Sequence, residues 1–457
     1  MKQAVQKQKL DMLNGPLWNK IPQFALPVAA TAILEQLFNA SDIAVVGNFS
    51  GAASTIAVAA VGANSFVISL VVNFFIGIAL GANVVIANAI GREDTDAVHR
   101  AVHTAVVVAV LGGALVTVLG ELVAGPALRA LNVPAEVLPY ALLYLRIYLL
   151  GVPVILLYNF EAAIFRSVGD TRVPLQTLAF SGVLNVLLNL FFVIVLHMTV
   201  NGVATATVLS NAISSVLLFV RLRRSDKAIH LEWTALRIDR RSLQKILQIG
   251  IPAGIQSAVF SISNIVIQSA INSLGTVVMA ASSAAFNIEV VAYDVLNSFS
   301  QACTTFVGQN YGAGKLDRCR KTLVLCLVED ALASGIAILL VLGSGHFLLS
   351  LFNRDPEVIA LGYTRLMTVF TAYFFSMLYE VVSGYLRGFG ISLVPALLTM
   401  LGVCGVRILW IATAFPRSRT FQTILLAYPL SLAATAVLIL LALLIYHPSR
   451  RTKGEAV

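Results

Sequence analysis

The chain has 457 residues, of which 58% are hydrophobic and only 12% charged. That charged share is about half of what soluble domains carry, so the composition excludes a freely soluble fold and makes lipid part of the solvent. The net charge of +9 would suit a nucleic-acid binder in a soluble protein, but its distribution along the chain removes the need for one.

A spanning helix needs about 20 mostly apolar residues. Twelve stretches qualify, at roughly 21–47, 56–88, 99–123, 137–165, 173–197, 202–222, 243–271, 278–308, 321–347, 358–386, 394–414 and 420–446. The expected fold is an all-α integral membrane protein with twelve transmembrane helices. The opening MKQAVQKQKLDMLNGPLWNK is polar for too long to be a signal peptide, so the first hydrophobic helix is expected to insert and stay. The chain divides into an N-terminal six-helix bundle (1–222), a basic cytoplasmic linker (223–242), read as solvated, and a C-terminal six-helix bundle (243–457).

The first span holds the most unusual pattern. Pro27 removes a backbone hydrogen bond and offers a place to bend. Glu35, Asn39 and Asp42 follow at i, i+4 and i+7, within about 20° of one face after two turns. Acids at membrane depth face the bundle interior or a water-filled cavity and mark ion or proton pathways. The fourth span adds Asn159 and Glu161, the fifth Asn185 and Asn189, the sixth Thr205 and Thr207. In the second half, the eighth span places Asn287, Asp294 and Gln301 at i+7 steps, with Glu289 and Tyr293 on a neighbouring face. The tenth span holds Glu380 seven residues before Arg387, and aromatic residues surround these polar sites. Glu329 and Asp330 are read as lying near water at the start of the ninth span.

Of the 31 Lys and Arg, 24 fall at the termini and in alternate loops. Six (Arg129, Arg146, Arg354, Arg365, Arg417, Arg419) fall on the opposite side, and Arg407 lies inside a span. The positive-inside rule then places both termini in the cytoplasm. This localises the chain to the plasma, or inner, membrane and accounts for the net charge without nucleic acid.

The two halves resemble each other. LYNFEAAIFRSVGDTRVP (Leu157–Pro174) aligns with LYEVVSGYLRGFGISLVP (Leu378–Pro395) at an offset of 221, matching Arg166 to Arg387 and Gly169 to Gly390. The same offset pairs Gly91 with Gly312 and Arg100 with Lys321, and near 225 Pro27 meets Pro252. Six helices return the chain to its starting side. The two bundles therefore share an orientation, related by a pseudo-twofold along the membrane normal, an architecture for alternating access.

Cys303, Cys319, Cys326 and Cys404 form no CxxC pair, and six scattered histidines form no metal motif. No HExxH, nucleophile elbow or P-loop occurs. These readings exclude an enzyme, a cofactor, and ATP as direct energy source.

The segments NASDIAVVG in the first span, RSVGDTRVP after the fourth, NGVATATVLS entering the sixth and TFVGQNYGAGKLDRCRK after the eighth resemble the multidrug and toxic compound extrusion (MATE) family. The likeness runs from about residue 15 to 446 and is nearest the bacterial branch with an aspartate on the first helix. It implies cation-coupled export, by antiport, of drug-like and often cationic compounds. It also implies a cation site at Asp42, Asn185, Asn189 and Thr207 and a helix bend at Pro27. Asn39 and Glu35 join that site by their spacing. Asn189 departs from the pattern, where an aspartate can stand. The coupling ion is H+ or Na+, and a Na+ at the Asp42 cluster is the one metal the sequence admits. Asn287, Glu289, Tyr293, Asp294 and Glu380 form a second-lobe polar set open to substrate. The alternative, a lipid-linked oligosaccharide or lipid flippase of the same superfamily, would line its cavity with basic residues, and only Arg407 lies clearly within a span. The expected partners are the bilayer and small organic cations, with the protein a monomer.

Overall fold

The computed structural model describes residues 10–51, 54–131, 133–225 and 228–448. The termini, with Lys2, Lys7, Lys9, Arg450, Arg451 and Lys453, lie outside the described residues, as does Lys227. The helices are α1 (Lys20–Phe49), α2 (Ser54–Gly91), α3 (Thr95–Ala130), α4 (Leu138–Ser167), α5 (Arg172–Leu190), α6 (Val200–Arg223), α7 (Arg240–Asn272), α8 (Thr276–Gly312), α9 (Leu316–Ser350), α10 (Pro356–Thr371), α11 (Tyr373–Gly388), α12 (Leu393–Thr399), α13 (Val406–Thr413) and α14 (Phe421–Tyr446). A π-helical turn, Phe191–Val195, extends α5, and another, Met400–Gly405, joins α12 to α13.

Among the described residues, eleven helices are long and apolar enough to cross a membrane, and α10 with α11 supplies a twelfth span bent by 45°. No proline stands at that bend, which falls at Ala372. Prolines instead lie inside α1 (Pro27), α3 (Pro126), α4 (Pro153), α7 (Pro252) and α14 (Pro429). Neighbouring helices and local readjustment satisfy the freed backbone groups in such spans.

The internal repeat is visible in backbone detail. Gly169 and Gly390, 221 positions apart, both adopt a positive φ, at 82° and 85°. Each follows an arginine whose carbonyl accepts from it, Arg166 at 2.9 Å and Arg387 at 2.8 Å. The next residues, Asp170 and Ile391, both donate back to the helix they have left, to Phe165 and Leu386. At the same offset, Glu93 (φ 58°) and Gly314 (φ 72°) share the left-handed turn between two long helices. Side chains keep the register too. Asn83 donates to the Ala163 carbonyl, and Thr304 to the Gly384 carbonyl, each at 3.1 Å.

Two compact units follow. The first comprises residues 30–250, and the second adds residues 10–29 to the chain from 251 onward. The boundary therefore falls inside α1 and inside α7 rather than in the loops.

In the first unit, α4 packs on α2, α3 and α6. One core joins Ala82, Ala101, Phe160, Leu218 and Ile246, and another joins Val46, Ala57, Leu145 and Val203. Residues 228–239 are a largely exposed linker pinned to the first unit at two points. The alternation Ile229-His230-Leu231 buries its two apolar members in the first core. Beside it, the Glu232 N–H donates to His103 Nε2 at 3.0 Å, and the Asp239 N–H donates to Thr104 Oγ1 at 3.0 Å.

In the second unit, α8 packs on α9, α10 and α11, and α14 on α11. Met12, Leu17, Ile21 and Phe24 are buried with Phe299, Phe306 and Cys319 in one core. Polar groups lock this segment down. Arg318 donates to the carbonyls of Met12 (3.1 Å), Gly15 (2.8 Å) and Asn14 (3.1 Å), and Lys315 to that of Leu13 (2.9 Å). All four cysteines are free and buried.

Candidate ion-coupling site

Asp42 lies about three-quarters along α1 and is 5% exposed. Helices α5 and α6 supply its partners. Asn189 Nδ2 donates to Asp42 Oδ1 at 2.5 Å and to Asn185 Oδ1 at 3.2 Å. Thr207 Oγ1 donates to Asp42 Oδ2 at 2.9 Å and to the Val203 carbonyl at 3.0 Å. Asn185 and Asn189 sit one turn apart on α5, so one amide can bridge its neighbour and the acid. Both carboxylate oxygens thus accept a hydrogen bond, the pattern an ionised carboxylate requires. The Asn189 carbonyl oxygen is buried without a hydrogen-bond partner among the described residues.

These residues fit a cation as well as a proton. Their donor atoms are a carboxylate, a hydroxyl and amide oxygens, all hard oxygen ligands, and the orphaned Asn189 Oδ1 belongs to an amide already turned toward Asp42. Protonating Asp42 replaces an acceptor by a donor, and a half-turn of the Asn189 amide presents Oδ1 to that proton.

The structure brings Asp42, Asn185, Asn189 and Thr207 into one cluster. Glu35 is half-buried one face-repeat earlier on α1, and Asn39 is exposed, with no side-chain hydrogen bond among the described residues. Tyr144 and Tyr148, stacked one turn apart on α4 with ring centroids 6.3 Å apart, lie within Coulombic reach of Asp42. Their i, i+4 spacing was available in the sequence, but nothing there tied them to α1. A second polar pair lies in the same unit, where Ser215 donates to Glu161 Oε2 at 2.9 Å.

The second-lobe residues separate. Glu289 is taken by Arg365, which donates through Nε at 2.7 Å and Nη2 at 2.9 Å. Arg365 also reaches Ser282 Oγ at 2.5 Å and Tyr428 Oη at 3.2 Å. Tyr293 donates to Glu380 Oε1 at 3.0 Å. Asn287 is exposed and, among the described residues, bonds only its own helix, at the Ser283 carbonyl. Asp294 is half-buried, with Oδ2 unpartnered among the described residues.

Two expectations are corrected here. Arg365 is not an outer-end residue but is 2% exposed; its bidentate pair with Glu289 draws it inward. Buried arginines accordingly number three among the described residues, Arg365, Arg387 and Arg407. Each is engaged: Arg387 Nη2 donates to Gln256 at 2.9 Å, and Arg407 donates to Ser431 and lies over the Tyr428 ring at 4.5 Å. Asp330 does not face water either. It stands four turns into α9, fully buried, accepting from Ser334 Oγ at 2.7 Å.

A set of membrane-crossing helices built as two equivalent halves, with a buried carboxylate on one helix held from two others, defines a multi-pass membrane transporter. The MatE family model matches residues 27–191 and 252–412, and the chain belongs to that family. Over 401 residues it is 26% identical to the probable multidrug resistance protein YoeA of Bacillus subtilis, covering 86% of each chain. Over 446 residues it is 26% identical to the probable multidrug resistance protein NorM of Thermotoga maritima, covering 95% of this chain and 93% of that one. A multidrug resistance MATE family transporter of the MOP superfamily, solved in an outward-facing conformation, shares the fold with a TM-score of 0.89 at 19% identity, over 98% of this chain and 99% of that one. Members of the family are transporters, not enzymes.

Proposed function

We propose that the protein is a cation-coupled antiporter, using H+ or Na+, that exports amphipathic and often cationic organic compounds by alternating access. The observation that carries this reading is the grip of Thr207 and Asn189 on the two oxygens of buried Asp42. Removing a carboxylate from water disfavours its charged form, and a bound proton or metal cation offsets that cost. An ion that binds the Asp42 cluster more tightly in one conformation shifts the population toward it. Pro27, four turns before Asp42, is the place on α1 where such a shift can be absorbed.

The substrate class is supported by the acids buried in both units and by the names of the multidrug resistance relatives. Of the three buried arginines, Arg365 is neutralised by Glu289, while Arg387 and Arg407 are held by Gln256 and Ser431. The basic-residue bias supports a plasma-membrane protein with both termini cytoplasmic.

The test is transport by purified protein in liposomes, with a proton gradient and a sodium gradient imposed separately. Uptake of an ethidium-like cation against its gradient is expected under one of them. Failure of both gradients to move any of a panel of organic cations, with translocation of a lipid-linked sugar instead, would overturn the reading.

A further inference from the structure

The ends of α2 and the starts of α3 and α7 enclose a cleft of about 810 Å³ in the first unit. Five cationic side chains line it, Arg92, Arg100, Arg240, Arg241 and Lys245, against two acids, Asp94 and Asp239. Both acids are committed to their own helix starts. Asp94 Oδ1 accepts from the Ala97 N–H at 2.9 Å, and Asp239 Oδ2 accepts from the Ser242 N–H and hydroxyl at 2.8 and 2.7 Å. Asp239 also feels Arg100 and Arg241 nearby. Among the described residues, none of the five cations makes a side-chain hydrogen bond or ion pair.

The equivalent place in the second unit behaves differently. Residues 314–318, with Arg320 and Lys321, line a smaller cleft of about 630 Å³. There Lys315 and Arg318 are spent on the carbonyls of Met12, Leu13, Asn14 and Gly15. In the second unit, then, the chain supplies oxygen atoms to Lys315 and Arg318 and Asp317 pairs with Arg320, whereas in the first all five basic groups remain available to an outside anion.

The first cleft is also amphipathic. Its wall includes Val85, Ala89 and Ala97. Val85 lies six residues inside the end of α2, roughly 9 Å down the helix axis. Cations sit where three spans end, and apolar side chains sit below them. A free phosphate would use only the upper part of such a cleft. Basic pockets between transmembrane helices near the cytoplasmic surface are suited to acidic lipid headgroups.

We propose that this cleft binds the headgroup of an anionic phospholipid, with the phosphate held by Arg240, Arg241 and Lys245 and the glycerol and upper acyl chain lying along Val85 and Ala89. The inference is independent of the transport reading.

The experiment is native mass spectrometry of the detergent-purified full chain titrated with phosphatidylglycerol or phosphatidylcholine. The wild type is expected to hold phosphatidylglycerol preferentially. The variant Arg240→Gln/Arg241→Gln/Lys245→Gln is expected to bind it at least about tenfold more weakly, as is Arg92→Gln/Arg100→Gln, which serves if the first variant misfolds. Both should leave phosphatidylcholine adducts unchanged. A charge-matched control, Arg354→Gln/Arg417→Gln/Arg419→Gln, should bind like wild type, and millimolar inorganic phosphate should not displace the lipid. Equal loss in the control and cleft variants would reduce the effect to bulk charge and overturn the site. Full displacement by inorganic phosphate would make the ligand a free anion and overturn the lipid assignment.

Discussion

Asn189 reaches across 147 positions of chain to place its amide nitrogen 2.5 Å from Asp42 Oδ1. This contact ties α5 to α1 at the one acid on α1 that is fully withdrawn from solvent. The first prediction follows from it. Asp42→Asn keeps the shape and can still accept and donate within the cluster, so the protein should fold and reach the membrane. Export driven by an ion gradient should fall at least about tenfold, equivalent to ~1.4 kcal/mol. Ion-coupled transport at wild-type rate by well-expressed Asp42→Asn would sink the coupling role.

Removing either donor tests the same cluster from the other side. Asn189→Ala and Thr207→Ala each leave one buried carboxylate oxygen without its donor, a cost of about 1–3 kcal/mol. Thermal unfolding should report a lower Tm for each. The double variant should lose less than the sum of the two, because both act through one carboxylate. Strict additivity would argue that the two side chains do not share Asp42.

The Arg365–Glu289 pair carries a different expectation. Breaking a buried pair by removing one partner costs about 3–5 kcal/mol, whereas replacing both with apolar residues is often neutral. Glu289→Leu alone and Arg365→Met alone should therefore express poorly. The double variant should recover stability and, if the pair is architectural, transport as well. A stable double variant that no longer exports any substrate would return Glu289 to the functional set.

Asp239 caps α7 outside the membrane spans, and its carboxyl is held below the usual range by the Ser242 hydroxyl and N–H, with help from Arg100 and Arg241. A group depressed in the folded state stabilises above its unfolded value, near 3.9, and that contribution disappears as pH falls through the folded value. Asp239→Ala should lose about 0.5–2 kcal/mol at neutral pH, and its deficit relative to wild type should shrink on acidification below about pH 4. Melting curves across pH 3–7 check this; a deficit that grows toward acid would contradict the cap.

For orientation, the bias of basic residues makes a separate forecast. Single cysteines introduced at Asn201 or Pro416 should react with an impermeant thiol reagent added to intact cells, and one at Arg223 should not. The native cysteines are buried, so background labelling should be low. Labelling at Arg223 would invert the topology.

The spans were legible because hydropathy is a local property, and the repeat because glycine and arginine must recur where the backbone turns the same way. The α1 pattern exposed Asp42 for a similar reason: an acid in a long apolar run has few innocent explanations. What stayed hidden depends on which way a side chain points across the fold. Arg365 stands nine residues inside α10, and only Glu289, 76 positions away, turns it inward. Asp330 looks shallow in the sequence because α9 starts at Leu316, earlier than its apolar run. The bend at Ala372 has no proline to announce it, and Ile229 and Leu231 are too few apolar residues to mark a buried segment in a basic stretch.

The assignment of residues 10–29 to the second unit bears on how the protein is made. Residues 10–29 leave the ribosome long before their packing partners, because Phe299, Phe306, Arg318 and Cys319 lie roughly three hundred residues downstream. Until those helices are inserted, Met12, Leu17 and Phe24 have no native surface to cover. A cut at residue 250 leaves the second unit's core short of the wall that residues 10–29 provide. Synthesis of the second half therefore completes the placement of the first helix as well as its own.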